Sequence, residues 1–534
     1  MSAHDSRFRR RFSRDDAGLP QEVGEDFVPR RQKLVAGFAV LTLLWSTWAQ
    51  TAATAVTVLV ATGLAALTLA WLFLPTGAYD SARSAKRNFF RLMKFPLFWI
   101  GIALWIYICI QGCVPGVSVE WLEKSWRIHR IAGTPEWLPT GVDAGFGFDP
   151  KMGMNAWRQL CIFGAPWMIL CALWSGLRSR RAWKFLLWTV LLNAVLLACF
   201  GLYRSCFGIH SYLGETKYYF FSVFSYKNHA GEFFVLAMAI CAGLGLRSWR
   251  ASSLAGKHGG AYLILLIFGL LFLGATFATK SVGAVFLGVL WLPLIVILIC
   301  ASGLMTRSSW LAAGVFLAML LCVAGTWWAT AKTDVFFSRV DKKVADGELP
   351  DIERVIHPED KTEERSELAE TFSLDKGPRA DLRKLSAKMF HYNTHTELFG
   401  WGAGSYRWIA PAFQLSMPEF TKINKRTGKK YLPTRTSYAH CDPWHFLVEW
   451  GAVGAGIFAA GVLWFWGFAL RNFRRWRASS VAFLAGIAIF SLHACVEFVS
   501  FNPALMLCVA LLAAAFKADL SREKLLAKKQ TRTL

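Results

Sequence analysis

Twelve apolar runs, most near the length that crosses a bilayer, constrain this chain more than any other feature. They fall at roughly 34–50, 53–75, 95–115, 157–177, 182–202, 229–247, 260–279, 283–304, 309–330, 446–470, 479–500 and 503–517. A helix needs about 20 residues to span hydrocarbon, and within lipid only helices and closed barrels satisfy their own backbone hydrogen bonds. The expectation is an all-α polytopic membrane protein with about twelve transmembrane helices. A hydrophobic fraction of 55% over 534 residues is too high for a soluble domain of this size, and the 25 tryptophans suit interfacial belts.

The formal charge of +24 does not point to nucleic acid, because the basic residues form short runs between apolar spans instead of one patch. Those runs set an orientation. Arg83, Lys86, Arg87, Arg91 and Lys94, then Arg178, Arg180, Arg181 and Lys184, then Arg247, Arg250 and Lys257, then Arg471, Arg474, Arg475 and Arg477, and finally the tail from Lys517, share one parity. The positive-inside rule assigns that parity to the cytoplasm.

Five regions follow. Residues 1–33 form a basic, disordered cytoplasmic tail with no apolar core and cleavage site of a signal peptide. Residues 34–330 hold helices one to nine, 331–445 a large outer loop, 446–517 helices ten to twelve, and 518–534 a second basic cytoplasmic tail. Loops 116–156 and 203–228 also fall outside. The 331–445 loop is too long for a simple connector and is expected to be partly helical. Arg379 to Phe390 has a helical apolar rhythm after Gly377-Pro378, whereas 341–376 is densely charged. The twelve cysteines lack metal-type spacing and read as small core residues.

Where the large loop meets the tenth span, the chain reads Ala439-His440-Cys441-Asp442-Pro443-Trp444-His445-Phe446-Leu447-Val448-Glu449-Trp450-Gly451. Pro443 keeps what precedes it out of the helix and opens a new one, on which His445 and Glu449 share a face. Ionisable groups at a membrane boundary are costly unless used or paired, so this stretch reads either as a reactive site or as a polar loop end with anchoring aromatics.

Four further motifs fall on the same side. Lys227-Asn228-His229 stands at the outer end of the sixth span, as an anion site or as an interfacial cap with a snorkelling lysine. Lys280-Ser281-Val282-Gly283 forms a tight outer turn. Gly400-Trp401-Gly402-Ala403-Gly404 brings backbone close to something and, with no βαβ unit around it, is not a dinucleotide fingerprint. His493 and Glu497 are four apart near the outer end of the eleventh span, as a buried pair or as catalytic groups.

His440-x-Asp442, with Glu449 nine residues on and Gly451 two after that, resembles the signature of the O-antigen ligase and polymerase family, usually His-Asn-Asp-x-Leu-Gln-x-x-x-Glu-x-Gly. Cys441, Trp444 and His445 replace the usual Asn, Leu and Gln. Lys227-Asn228-His229 is similar to the family's Asn-Arg-Asn-His-Phe-Ala, with lysine at the arginine position. Ser281-Val282-Gly283 stands where Ser-Arg-Gly is usual, so the arginine is missing and Lys280 is its neighbour. The alternate glycines with Arg379 upstream, and His493 to Glu497 followed by Pro503-Ala504, resemble two more family strings. The likeness covers roughly residues 220–515.

The resemblance implies a glycosyltransferase of the bacterial inner membrane, with both termini cytoplasmic and the site facing the periplasm. It would move a glycan from an undecaprenyl diphosphate carrier to an acceptor hydroxyl on a glycolipid or a polysaccharide. His440 would be the base, with Asp442 or Glu449 orienting it, and transfer would invert the anomeric centre. Lys227, Lys280 and Arg379 would hold the diphosphate. Asn228, His229, Ser281, Gly402, Gly404, His493 and Glu497 would support the site. Neither cofactor nor metal is expected, because there is no Asp-x-Asp motif and the carboxylates do not cluster like metal ligands. Partners are the lipid-linked donor, the acceptor and the bilayer, without nucleic acid. A polysaccharide polymerase or a protein O-glycosyltransferase would share these residues. A transporter is the alternative of another class, although no internal repeat is found.

Overall fold

The computed structural model describes residues 29–52, 54–74, 82–122, 125–144, 154–209, 211–213, 215–216, 220–254, 260–301, 378–423, 428 and 430–533. The predicted span at 309–330, the charged stretch 341–376 and most of the N-terminal tail lie outside them. Each of the other predicted runs holds a helix. In chain order the helices are α1 (Arg30–Trp48), α2 (Ala55–Ala70), α3 (Ala82–Met93), α4 (Pro96–Cys113), α5 (Ala156–Gly176), α6 (Arg180–Cys206), α7 (Lys227–Leu254), α8 (Ala261–Ala278), α9 (Val282–Ala301), α10 (Pro378–Phe390), α11 (Thr394–Phe399), α12 (Tyr406–Gln414), α13 (Asp442–Arg471), α14 (Ala478–Ala494) and α15 (Pro503–Thr533).

Among the described residues, seven helices are long and apolar enough to cross a membrane: α4, α5, α6, α7, α8, α13 and α15. Helix α7 is apolar on every side and buried on nearly every side, packed among α6, α8, α9, α14 and α15. Helices α4, α8 and α13 are equally apolar but face outward, with Trp99 53%, Ile267 62% and Leu463 70% exposed. A belt of this size is sustained by lipid and not by water. The chain is a multi-pass helical membrane protein.

The loops differ from the all-α expectation. Residues Pro115–Leu122 (β1) and Ser125–Arg130 (β2) form an antiparallel pair, with Val117 opposite Arg130, and Gly141–Val142 (β3) runs parallel to β1. Val117, Val119 and Ile128 are β-branched residues that pack on Leu385, Met389, Trp401, Tyr406 and Ile409. That cross-loop burial, invisible to local periodicity, favours strand here. Two loops far apart in sequence therefore build one layer over the helix ends. The helical rhythm of Arg379 to Phe390 is realised as α10.

The layer is joined to the bundle through a break in α13. Gly451 has φ +63°, and a side chain there would meet the Leu398 carbonyl at 2.4 Å. The broken helix pairs with the glycine string as a strand would: Trp401 N–H donates to Val448 O at 2.8 Å and Gly402 N–H to Glu449 O at 2.8 Å. From α4, Tyr107 donates its hydroxyl to Trp450 O at 2.6 Å, and Gln111 accepts from Ala403 N–H at 3.0 Å. Gly402 itself has φ +102°, and a Cβ there would lie 2.3 Å from Gly141 Cα, backbone that cannot step aside. Gly402→Ala is expected to destabilise the protein by roughly 2–4 kcal/mol, combining left-handed strain with overpacking. Thermal unfolding in detergent measures it, and an unchanged midpoint would refute the packing argument.

Candidate active site

Helix α13 starts at Asp442, with Cys441 in extended conformation before it and Pro443 in its first turn. Immediately upstream, His440 adopts a left-handed conformation at φ +49°, which turns its ring back toward the helix bundle. There Nδ1 lies 2.6 Å from Glu497 Oε1, and the ring edge rests on Phe498 at 4.8 Å. Glu497 is fully buried while the His440 side chain is 29% exposed, so the pair has a closed and an open end.

Glu497 gathers the rest. Its Oε2 accepts from Tyr226 OH at 3.0 Å, from Arg379 Nη2 at 3.1 Å, and from Asn228 Nδ2. Asn228 also donates to the Tyr226 oxygen at 2.9 Å and accepts from Ser281 Oγ at 2.7 Å. Burial alone would raise the Glu497 carboxyl, but the hydrogen bond and charge of His440 and the guanidinium of Arg379 hold it well below the usual carboxylate range. It is therefore ionised at any pH at which a histidine titrates. Burial, then the adjacent carboxylate, pushes the Tyr226 hydroxyl far above its ordinary value, keeping it a proton donor. With Nδ1–H donated to a carboxylate, the second ring nitrogen of His440 carries the basic lone pair.

Two expected pairings are corrected. Neither Asp442 nor Glu449 orients His440; Glu497 does. Asp442 Oδ2 accepts from Ser500 N–H at 2.9 Å, and it thereby caps the turn that carries Glu497. Glu449 lies two helical turns beyond His440 on the buried side of α13. Its Oε1 accepts from Tyr406 N–H at 3.0 Å and faces His445 Nε2 at 3.1 Å, while Oε2 accepts from Gln159 Nε2. His493 and Glu497 also do not share a helix face, because α14 ends at Ala494 and the chain turns. His493 instead donates from Nδ1 to Glu232 Oε2 at 2.7 Å, deep among the helices.

The remaining sequence candidates take different places. His229 donates from Nε2 to Phe498 O at 3.2 Å and accepts from Asn502 Nδ2 at 3.2 Å, which fixes the backbone beside Glu497. Lys227 opens α7 next to Asn228, and Lys280 sits exposed at φ +56° in the turn before Ser281. Gly404 lies against Asn155 backbone, at 2.7 Å from where its Cβ would stand. Arg379 is the cation bonded to the dyad itself. His445, which stands where the family usually has glutamine, is 2% exposed, stacks on Tyr406 at 4.7 Å and accepts from Ala439 N–H at 3.3 Å. It ties down the segment that carries His440.

Sequence reasoning missed Tyr226 as a donor and Glu232 as the partner of His493. An ionisable residue inside an apolar span was the available signal for Glu232. It also missed the platform of Tyr438 on Phe498, parallel within 6° at 4.2 Å, beneath His440. Compared with protein-family models and with curated proteins, the chain matches none of them.

Proposed function

We propose that this chain is a glycosyltransferase that moves a glycan from an undecaprenyl diphosphate carrier to an acceptor hydroxyl, at the periplasmic face of the bacterial inner membrane. The observation that carries the reading is the His440–Glu497 pair at 2.6 Å with Arg379 at 3.1 Å on the same carboxylate. These three residues come from distant segments and meet where the loop layer covers the helix ends. The proposed topology has about twelve spans, both termini cytoplasmic and one large periplasmic loop.

In the reaction, the basic nitrogen of His440 removes the acceptor hydroxyl proton as that oxygen bonds to the anomeric carbon. The bond from this carbon to the diphosphate oxygen breaks, and its electron pair leaves on the carrier diphosphate. Attack from the opposite side inverts the centre. Glu497 stabilises the imidazolium that forms, as the buried carboxylate of a catalytic triad does. The diphosphate is already a good leaving group, so it needs cations more than an acid, and Arg379 with Lys227 supplies them. Lipid A core, a growing polysaccharide and a protein hydroxyl are all acceptors of the same chemical kind.

Cells lacking the chain should accumulate carrier-linked glycan and lose the glycosylated acceptor. Placement is tested separately. A cysteine at the exposed Lys430, on the short hairpin Lys422–Ile423 and Lys430–Tyr431 of the outer layer, should react with an impermeant maleimide in intact cells. Labelling only after permeabilisation would invert the topology and remove the mechanism.

A further inference from the structure

At the far ends of α4 and α5, roughly 30 Å from His440 by helix length, the fold collects positive charge. Helix α3 carries Arg87 and Arg91, the connection between α5 and α6 carries Arg178, and α15 carries Lys517. Their convergence is built by packing. Phe95, just after α3, stacks on Trp174 of α5 at 4.6 Å. Lys517 reaches the same tryptophan, donating to Trp174 O at 2.6 Å with Nζ 5.6 Å from the ring. Arg178 lies one turn further along, its N–H donating to Gln32 Oε1 at 3.0 Å. Arg91 is steadied by Asn88 at 3.3 Å, whose own amide donates to Leu72 O at 3.2 Å.

Among the described residues none of these four cations forms an ion pair with a carboxylate. Asp519 lies two residues from Lys517, too close in sequence to share its helix face, and is engaged by Arg247 at 2.7 Å. Burial, then Arg178 and Arg87, pulls the Arg91 guanidinium down to about 10, and burial and Arg87 depress Arg178 likewise. Four like charges held together, Arg91 and Lys517 half-buried and Arg87 and Arg178 at the exposed rim, call for an anion.

We propose that Arg87, Arg91, Arg178 and Lys517 form a binding site for the phosphate of an anionic phospholipid, at the bilayer face opposite His440. The neighbouring surface selects lipid over a free anion. Phe89 and Phe90 on α3 are 47% and 51% exposed, and Trp99 at the start of α4 is 53% exposed. Helix α3 thus presents basic residues and bare aromatics together, as a helix lying in the headgroup plane does. Basic clusters between helix ends on the cytoplasmic side are suited to such headgroups.

The test is native mass spectrometry of the full chain released from micelles holding equal phosphatidylglycerol and phosphatidylcholine. The wild type should retain phosphatidylglycerol preferentially. Each lost charge should reduce that retention about fivefold, so R91Q/R178Q should lose roughly twenty-five-fold and R91K/R178K should keep most of it. R87Q, at an exposed position, should lose about fivefold even if the double variant fails to fold. Equal retention of both lipids, or retention unchanged in folded R87Q and R91Q/R178Q, would overturn the proposal. So would inorganic phosphate raising the unfolding temperature as much as phosphatidylglycerol does, since the site would then be one for a free anion.

Discussion

Replacing His440 with alanine is expected to lower glycosyl transfer by about 10²–10⁴-fold while leaving the protein inserted and folded. The ring is partly exposed, and its one polar partner in the described structure is Glu497. Removing it therefore leaves no cavity in the core and no unpaired donor. Glu497 keeps Arg379, Tyr226 and Asn228 in the variant. The comparison residue is His445. Alanine there strips a partner from the buried Glu449 and releases Ala439, so it should lower the unfolding temperature first and activity only as a consequence. Turnover of a carrier-linked donor, measured beside thermal unfolding, separates the two. A His440→Ala protein with near-normal turnover would remove the base from the mechanism.

The second large effect is expected at Glu497. Glu497→Gln keeps the size of the side chain but removes the charge that faces the imidazolium and the guanidinium. In catalytic triads the equivalent change costs up to about 10⁴-fold in kcat through loss of charge and of the correct tautomer. A fall of roughly 10²–10⁴-fold in kcat, with much less change in KM, is expected here. A purely structural role would move the unfolding temperature and leave kcat per folded molecule alone. That outcome would reduce Glu497 to a packing residue.

The apolar helices were legible because each depends on a local run of apolar residues long enough to act alone, and α10 was readable from its rhythm after Gly377-Pro378; the basic α3 and the short α11 and α12, which have no such run, were not. The strands of the 115–142 loop were not, since Val117, Val119 and Ile128 find their apolar partners some 260 residues later in the chain. The site was legible in its members but not in its pairings. His440, Asn228, Ser281 and Glu497 were visible as polar residues at span ends, and Arg379 as the arginine upstream of the glycine string in the large loop. Which carboxylate meets His440 depends on where α14 stops. The chain leaves the helix at Ala494, so the four-residue spacing of His493 and Glu497 pointed to a face that does not exist. A helix end just short of a proline-started helix, here Pro503, is a tertiary compromise that local periodicity does not record.

The most direct test is the reaction itself, with purified chain in liposomes, an undecaprenyl-diphosphate-linked glycan and a glycolipid acceptor. Released undecaprenyl diphosphate and glycosylated acceptor are counted together. The mechanism predicts one carrier diphosphate released for each acceptor glycosylated by the wild type, and a rate lower by about 10²-fold or more with His440→Ala. Equal rates from the two folded proteins, or acceptor left unmodified by a folded wild type supplied with the donor and acceptor that its own cells contain, would contradict it.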